Sequence, residues 1–94
     1  MNRDTYLKKL RARLDEWNAD LDRLEAKARE AKQDVRSQYE NEVEALRGRI
    51  DEAQSRFDEI QSAGEDTWKS LKDGAEDFWN RINEAMEDAK AAIR

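Results

Sequence analysis

The 94-residue chain has no cysteine, no histidine and no proline, and only three glycines. Without cysteine there is no disulfide and no thiolate metal ligand, and the redox compartment leaves no mark on the sequence. Without histidine or cysteine, the side chains that most often titrate or attack near neutral pH are missing, which leaves catalysis only buried carboxylates, lysines or tyrosines. Scarce glycine and absent proline remove the usual helix interrupters. No run of about 18 apolar residues exists to cross a membrane, and Met1 to Leu14 lacks the apolar stretch of a signal peptide, so the expected location is the cytoplasm.

Charge is abundant instead. Charged residues make up 44% of the chain against 37% hydrophobic ones, with a net charge of −5. That balance is compatible with disorder unless the apolar residues are regularly placed. They are: Leu7, Leu10, Leu14, Trp17, Leu21, Leu24, Ala28, Ala31 and Val35 alternate at steps of three and four, the stripe of a heptad repeat. The same register next meets the polar Gln38 and Glu42, whereas Tyr39, Val43, Leu46, Ile50, Ala53, Phe57 and Ile60 resume the alternation after two extra four-residue steps. Such a stutter unwinds a supercoil without ending the helix, and the pattern predicts one continuous helix over 4–62. At 1.5 Å per residue it would be roughly 85–90 Å long.

A break is expected near 62–66. Gly64 suits the left-handed residue beyond a helix end, and Ser62 with Glu65 has the spacing of a capping box. A second helix over 66–93 follows, with Trp68, Leu71, Ala75, Phe78, Ile82, Ala85, Ala89 and Ile93 on its stripe and Trp79 and Met86 widening it. The expectation is therefore an all-α fold with a single coiled-coil domain over 1–94: a long helix and a shorter returning one, in an antiparallel bundle. Folded back, the second helix would cover half of the first, placing Leu71 by Phe57 and Ile82 by Leu46. The stripe from Leu7 to Val35 would then need another subunit, because each buried leucine is worth about 1.5–3 kcal/mol. A homodimer is expected on that ground, with an unidentified protein partner also open.

Candidate chemistry is sparse. Glu40 with Glu44, and Glu84 with Asp88, stand one helical turn apart, but 23 acids in 94 residues generate such pairs by chance. No phosphate loop, dinucleotide turn or oxygen cage for a cation is legible, and no cofactor or metal is expected. Lys8, Lys9, Arg11 and Arg13 form a basic cluster, yet the acidic whole disfavours nucleic acid. Five acid-first pairs have the four-residue spacing that supports a helix by about 0.2–0.5 kcal/mol each: Asp4/Lys8, Glu25/Arg29, Glu52/Arg56, Glu65/Lys69 and Asp77/Arg81. Trp68, Phe78 and Trp79 on an amphipathic helix are candidates for contact with a lipid surface. Eight acids against five bases over 65–94 disfavour an anionic membrane, and aromatics at helical spacing more often form a core.

The stretch Tyr6 to Ala28, YLKKLRARLDEWNADLDRLEAKA, and the stretch Gly64 to Trp79, GEDTWKSLKDGAEDFW, resemble a widespread bacterial family of short coiled-coil proteins, some of them described as stress-response proteins. The likeness extends over nearly the whole chain and carries no catalytic motif. It implies a small bacterial helical protein, induced by stress in some members, with no defined molecular activity. The function expected is thus a non-enzymatic structural or protein-interaction role, with lipid-surface binding through the C-terminal helix as the alternative.

Overall fold

A computed structural model describes residues 2–93 and folds them into three helices, α1 (Arg3–Glu30), α2 (Gln33–Ser62) and α3 (Glu65–Ala92), with no strand among the described residues. The protein is an all-α helical bundle. Its extents are 50 × 18 × 17 Å, so the 85–90 Å helix expected over 4–62 does not form. The chain instead reverses twice, and three helices of 28, 30 and 28 residues run up, down and up beside one another.

The unforeseen reversal is at Ala31 and Lys32, both of which adopt extended backbone angles. It lies about one helical turn before the phase change in the apolar stripe, which follows Val35. Ala31 N–H closes the last turn of α1 on the Ala28 carbonyl at 3.3 Å, and Val35 and Arg36 N–H open α2 on the Lys32 carbonyl at 3.0 and 2.9 Å. The Arg36 guanidinium donates back to the Ala31 carbonyl at 3.2 Å. Neither glycine nor proline is needed, because extended angles are open to any residue. What decides between a straight helix and a reversal is burial. A straight helix would leave the α1 stripe wet, whereas the reversal loses a few helical hydrogen bonds and covers that stripe within one chain.

The second reversal, Ala63 and Gly64, repeats the first: both residues are extended and Ala63 N–H bonds the Ile60 carbonyl at 3.4 Å. Gly64 has φ −70°, so it is not the left-handed residue expected, and it occupies the N-cap position of α3 itself. The capping box is likewise absent, since Ser62 ends α2 and its hydroxyl donates to the Asp58 carbonyl at 2.8 Å. Asn2, by contrast, caps α1 by accepting from Thr5 N–H at 2.8 Å. Arg3 reaches across to donate to the Ala63 carbonyl, tying the start of α1 to the second reversal.

The interior is one continuous cluster. From α1 it takes Tyr6, Leu10, Leu14, Trp17, Leu21, Leu24 and Ala28, and from α2 Val43, Leu46, Ile50, Ala53, Phe57 and Ile60. The α3 contribution, Trp68, Ala75, Trp79, Ile82, Met86 and Ala89, with Ile93 just beyond the helix, is rotated from the expected stripe. Leu71, Phe78 and Ala85 are only half-buried, while Trp79 and Met86 are fully enclosed. A helix packed against two neighbours buries a broader face than a two-helix seam does, and the axis of that face shifts accordingly. For the same reason Tyr6 is buried and Leu7 half-buried at the start of α1, and Val35, beyond the first reversal, is half-buried as well.

Candidate functional site

The candidate lipid-contact tryptophans are turned inward, as the core reading of their helical spacing expects. Trp68 and Trp79 are 2% and 1% exposed, and each stands against an aromatic ring of α1. Tyr6 and Trp68 have ring centroids 6.3 Å apart, and Trp17 and Trp79 stack at 5.5 Å with 20° between their planes. The two pairs preserve the same offset along the chain, as parallel helices in fixed register require. Phe78 sits at the margin, edge-on to Trp79 at 6.1 Å and beneath the Arg56 guanidinium at 4.3 Å. Of the three candidates for lipid contact, the closed bundle therefore leaves only Phe78 near its surface.

Aromatic bulk keeps α1 and α3 apart along this line, and a cleft of about 240 Å³ lies between them. Its lining comprises Tyr6, Lys9, Leu10 and Arg13 from α1 with Lys72, Asp73, Glu76 and Trp79 from α3. Burial raises the ionisation of the Tyr6 phenol above its ordinary value of 10.0; the negative charges of Glu76 and Asp73 act in the same direction and Arg13 opposes them. Farther along, Asp20 is the one buried charged residue of the described core, and Lys90 Nζ lies 2.7 Å from its Oδ2 in a short, imperfectly aligned contact. Arg23 approaches the other oxygen at 3.5 Å. The hydrogen-bonding contact with Asp20 raises the Lys90 ammonium above its ordinary 10.5, against the effect of its own desolvation.

Between α2 and α3 small residues replace large ones. Ala45, Leu46, Ala85, Ala89 and Ala92 floor an open groove of about 310 Å³, with Glu42 and Asp88 on its edges. Between α1 and α2, Arg11 lies over Phe57 at 4.5 Å and Arg47 pairs with Glu25. Glu25 thus bridges helices rather than meeting Arg29 one turn on. Of the five acid-first pairs, Glu52/Arg56 at 3.7 Å and Asp77/Arg81 at 4.0 Å form within α2 and α3.

The candidate carboxylates Glu40, Glu44, Glu84 and Asp88 are all exposed, and no group of metal-ligating side chains occurs among the described residues. No described helix is long and apolar enough to cross a membrane. Sequence reasoning passed over Tyr6, Asp20 and Lys90. Tyr6 had a signal, its four-residue step to Leu10 and from there to Leu14, but Asp20 and Lys90 look like any other charge on a charged surface.

The class these features define is an all-α bundle of three helices with an aromatic wedge between the first and third. Comparison of the chain with protein-family descriptions, curated proteins and solved structures finds no match.

Proposed function

We propose that the chain is a non-enzymatic protein-interaction module that acts by binding, in a stress-related setting suggested by the resemblance of Tyr6–Ala28 and Gly64–Trp79 to short bacterial coiled-coil proteins. The observation that carries this reading is the α2–α3 groove: an open alanine floor fenced by Glu42 and Asp88, on a bundle whose larger apolar residues are mostly spent inside. Such a surface accepts a small apolar knob carried beside a basic residue. A second copy of the chain offers that charge through the exposed Lys8, Lys9 and Arg13 of α1. The homodimer now rests on this complementarity alone, because the α1 stripe from Leu10 to Ala28, whose exposure first argued for a second subunit, is covered within the chain.

Crosslinking in the cell, compared between the wild type and the double variant Glu42→Lys, Asp88→Lys, tests the proposal. A protein or a second copy captured by the wild type and lost by the variant is the expected result; identical capture by both rejects the groove. The lipid-surface alternative requires α3 to leave the bundle and expose Trp68 and Trp79. Cosedimentation with neutral or anionic vesicles and a blue shift of tryptophan emission would support it, and neither response would end it.

A further inference from the structure

The two reversals differ in what holds them. At the second, Gly64 disfavours a continuous helix, and Arg3 donates to the Ala63 carbonyl from the start of α1. At the first, the apolar stripe runs straight through the bend: Leu24, Ala28, Ala31, Val35, Tyr39 and Val43 follow one another at steps of three or four, the spacing of a single helix. Ala31 and Lys32 are good helix formers, neither is a turn residue, and Lys32 opens α2 without a side-chain cap. Packing imposes this bend, and the residues that form it do not. A helix carried through it would supply carbonyl partners to the amides that open α2.

The end of the bundle that carries this bend is also its thinnest part. Lys90, near the end of α3, meets Asp20 of α1, and Ala92 shares a groove with Glu42 and Leu46 of α2, so the last turns of α1 and the first turns of α2 stand beyond α3 as a two-helix tip. Ala31, Val35 and Tyr39 are only half-buried there. Across the α1–α2 interface Arg11 meets Phe57 and Glu25 meets Arg47, and the midpoints of these pairs are positions 34 and 36. Two straightened chains that repeat the same contacts between them therefore place their two-fold axis at Val35, where the half-buried stripe of one copy lies on that of the other.

We propose that α1 is exchanged between two copies of the chain: the reversal at Ala31 and Lys32 straightens, α1 and α2 join into one helix, and α1 of each copy docks on the α2–α3 pair of the other. The contacts that α1 makes in the closed chain, its aromatic pairs with α3 included, are remade between copies, and the tips gain a cover that the closed chain lacks. The closed form prevails in dilute solution, because its own α1 is tethered at an effective concentration on the order of millimolar. With Leu10, Leu14, Trp17 and Leu21 buried, α1 cannot leave a folded bundle readily, so the choice between the two forms is made during folding. The exchange leaves the α2–α3 groove intact and is distinct from any association of closed chains through it.

The test is refolding of the full chain from guanidinium chloride at about 10 μM and at about 1 mM, followed by size-exclusion chromatography with light scattering. The expected result is the 11.1 kDa monomer alone at the lower concentration, and at the higher one a second species of twice that mass that persists on dilution in the cold. Pulsed electron spin resonance on Ala12→Cys with Glu59→Cys, refolded with excess unlabelled chain, should give roughly 70 Å in the dimer and roughly 20 Å in the monomer. Ala31→Gly with Lys32→Gly, and separately Val35→Asp, should each lower the dimer formed at about 1 mM by about tenfold, the first by disfavouring the straight helix and the second by setting like charges on the two-fold axis. Both variants should leave the helicity of the monomer unchanged by circular dichroism. Glu42→Lys with Asp88→Lys should leave the exchange unaltered, which separates it from association through the groove. No dimer after refolding at about 1 mM, a dimer whose intrachain distance stays near the monomer's, or a dimer undiminished by both the glycine pair and Val35→Asp would overturn the proposal.

Discussion

The two faces that α3 presents to its neighbours are built from opposite materials. Against α1 it sets Trp68 and Trp79 on Tyr6 and Trp17, while toward α2 the groove is floored by Ala45, Ala85, Ala89 and Ala92. The aromatic face is dry at its centre and leaves a charged cleft at its margin; the alanine face leaves a shallow apolar groove. Side-chain size alone separates the outcomes, since a helix pair can approach only as closely as the residues between them permit. The asymmetry leaves the bundle with two different surface depressions, one polar and the other apolar.

The contrast can be broken from the aromatic side first. Trp79→Ala removes a side chain that is 1% exposed and that stacks on Trp17, and should cost about 3–5 kcal/mol in urea unfolding followed by circular dichroism. A cost below about 1 kcal/mol would mean that the wedge is not a structural element. From the other side, Ala53 is fully buried, and Ala53→Leu should overpack the interior by about 1–3 kcal/mol in the same assay, where an exposed alanine such as Ala12 would tolerate the change.

Smaller effects sharpen the picture of the α1–α3 contact. Lys90→Ala leaves Asp20 buried with only the longer Arg23 contact, whereas Asp20→Ala leaves a half-exposed Lys90 that still has Glu87 at 3.3 Å. The lysine variant should therefore be the less stable of the two, by roughly 1 kcal/mol. The pH dependence is the mildest test. Tyr6 and Lys90 both hold their protons more firmly in the folded chain than at their ordinary values of 10.0 and 10.5. Their contribution is complete below about pH 10 and is lost as pH rises through the higher folded-state values, so the melting temperature should fall in that alkaline window. Tyr6→Phe should flatten part of that fall, and an unchanged profile would show that the phenol is solvated in the folded state.

Much of this was legible in the sequence. The heptad stripe named the buried positions of α1 from Leu10 to Ala28 and of α2 from Val43 to Ile60, because solvent exclusion acts on the same periodicity that the eye can follow. The break at 62–66 was legible too, though for a different local reason than the one Gly64 and Ser62 offered. The reversal at Ala31 and Lys32 was hidden, since the expected signals of glycine, proline or a capping side chain are all missing there and the α2 N-cap is a lysine with no side-chain bond. Its traces were the phase change after Val35 and the charge order, with Lys27 and Arg29 ending α1 and Asp34 opening α2, as the helix dipole favours. The cleft was beyond reach for a further reason: which charges face one another across α1 and α3 depends on the register of two helices, and that register is fixed by the aromatic pairs.

The central claim is that α1 and α2 are separate helices folded against each other in one chain. Because the protein has no cysteine, Ala12→Cys with Glu59→Cys gives two labelling sites without background, both exposed and both near the contact of Arg11 with Phe57. Pulsed electron spin resonance on the doubly labelled chain, diluted with unlabelled protein, should return a distance of about 20 Å, the ~8–10 Å between packed helix axes plus the label arms. A distance near 70 Å, the length of an unbroken helix between those positions, would contradict it.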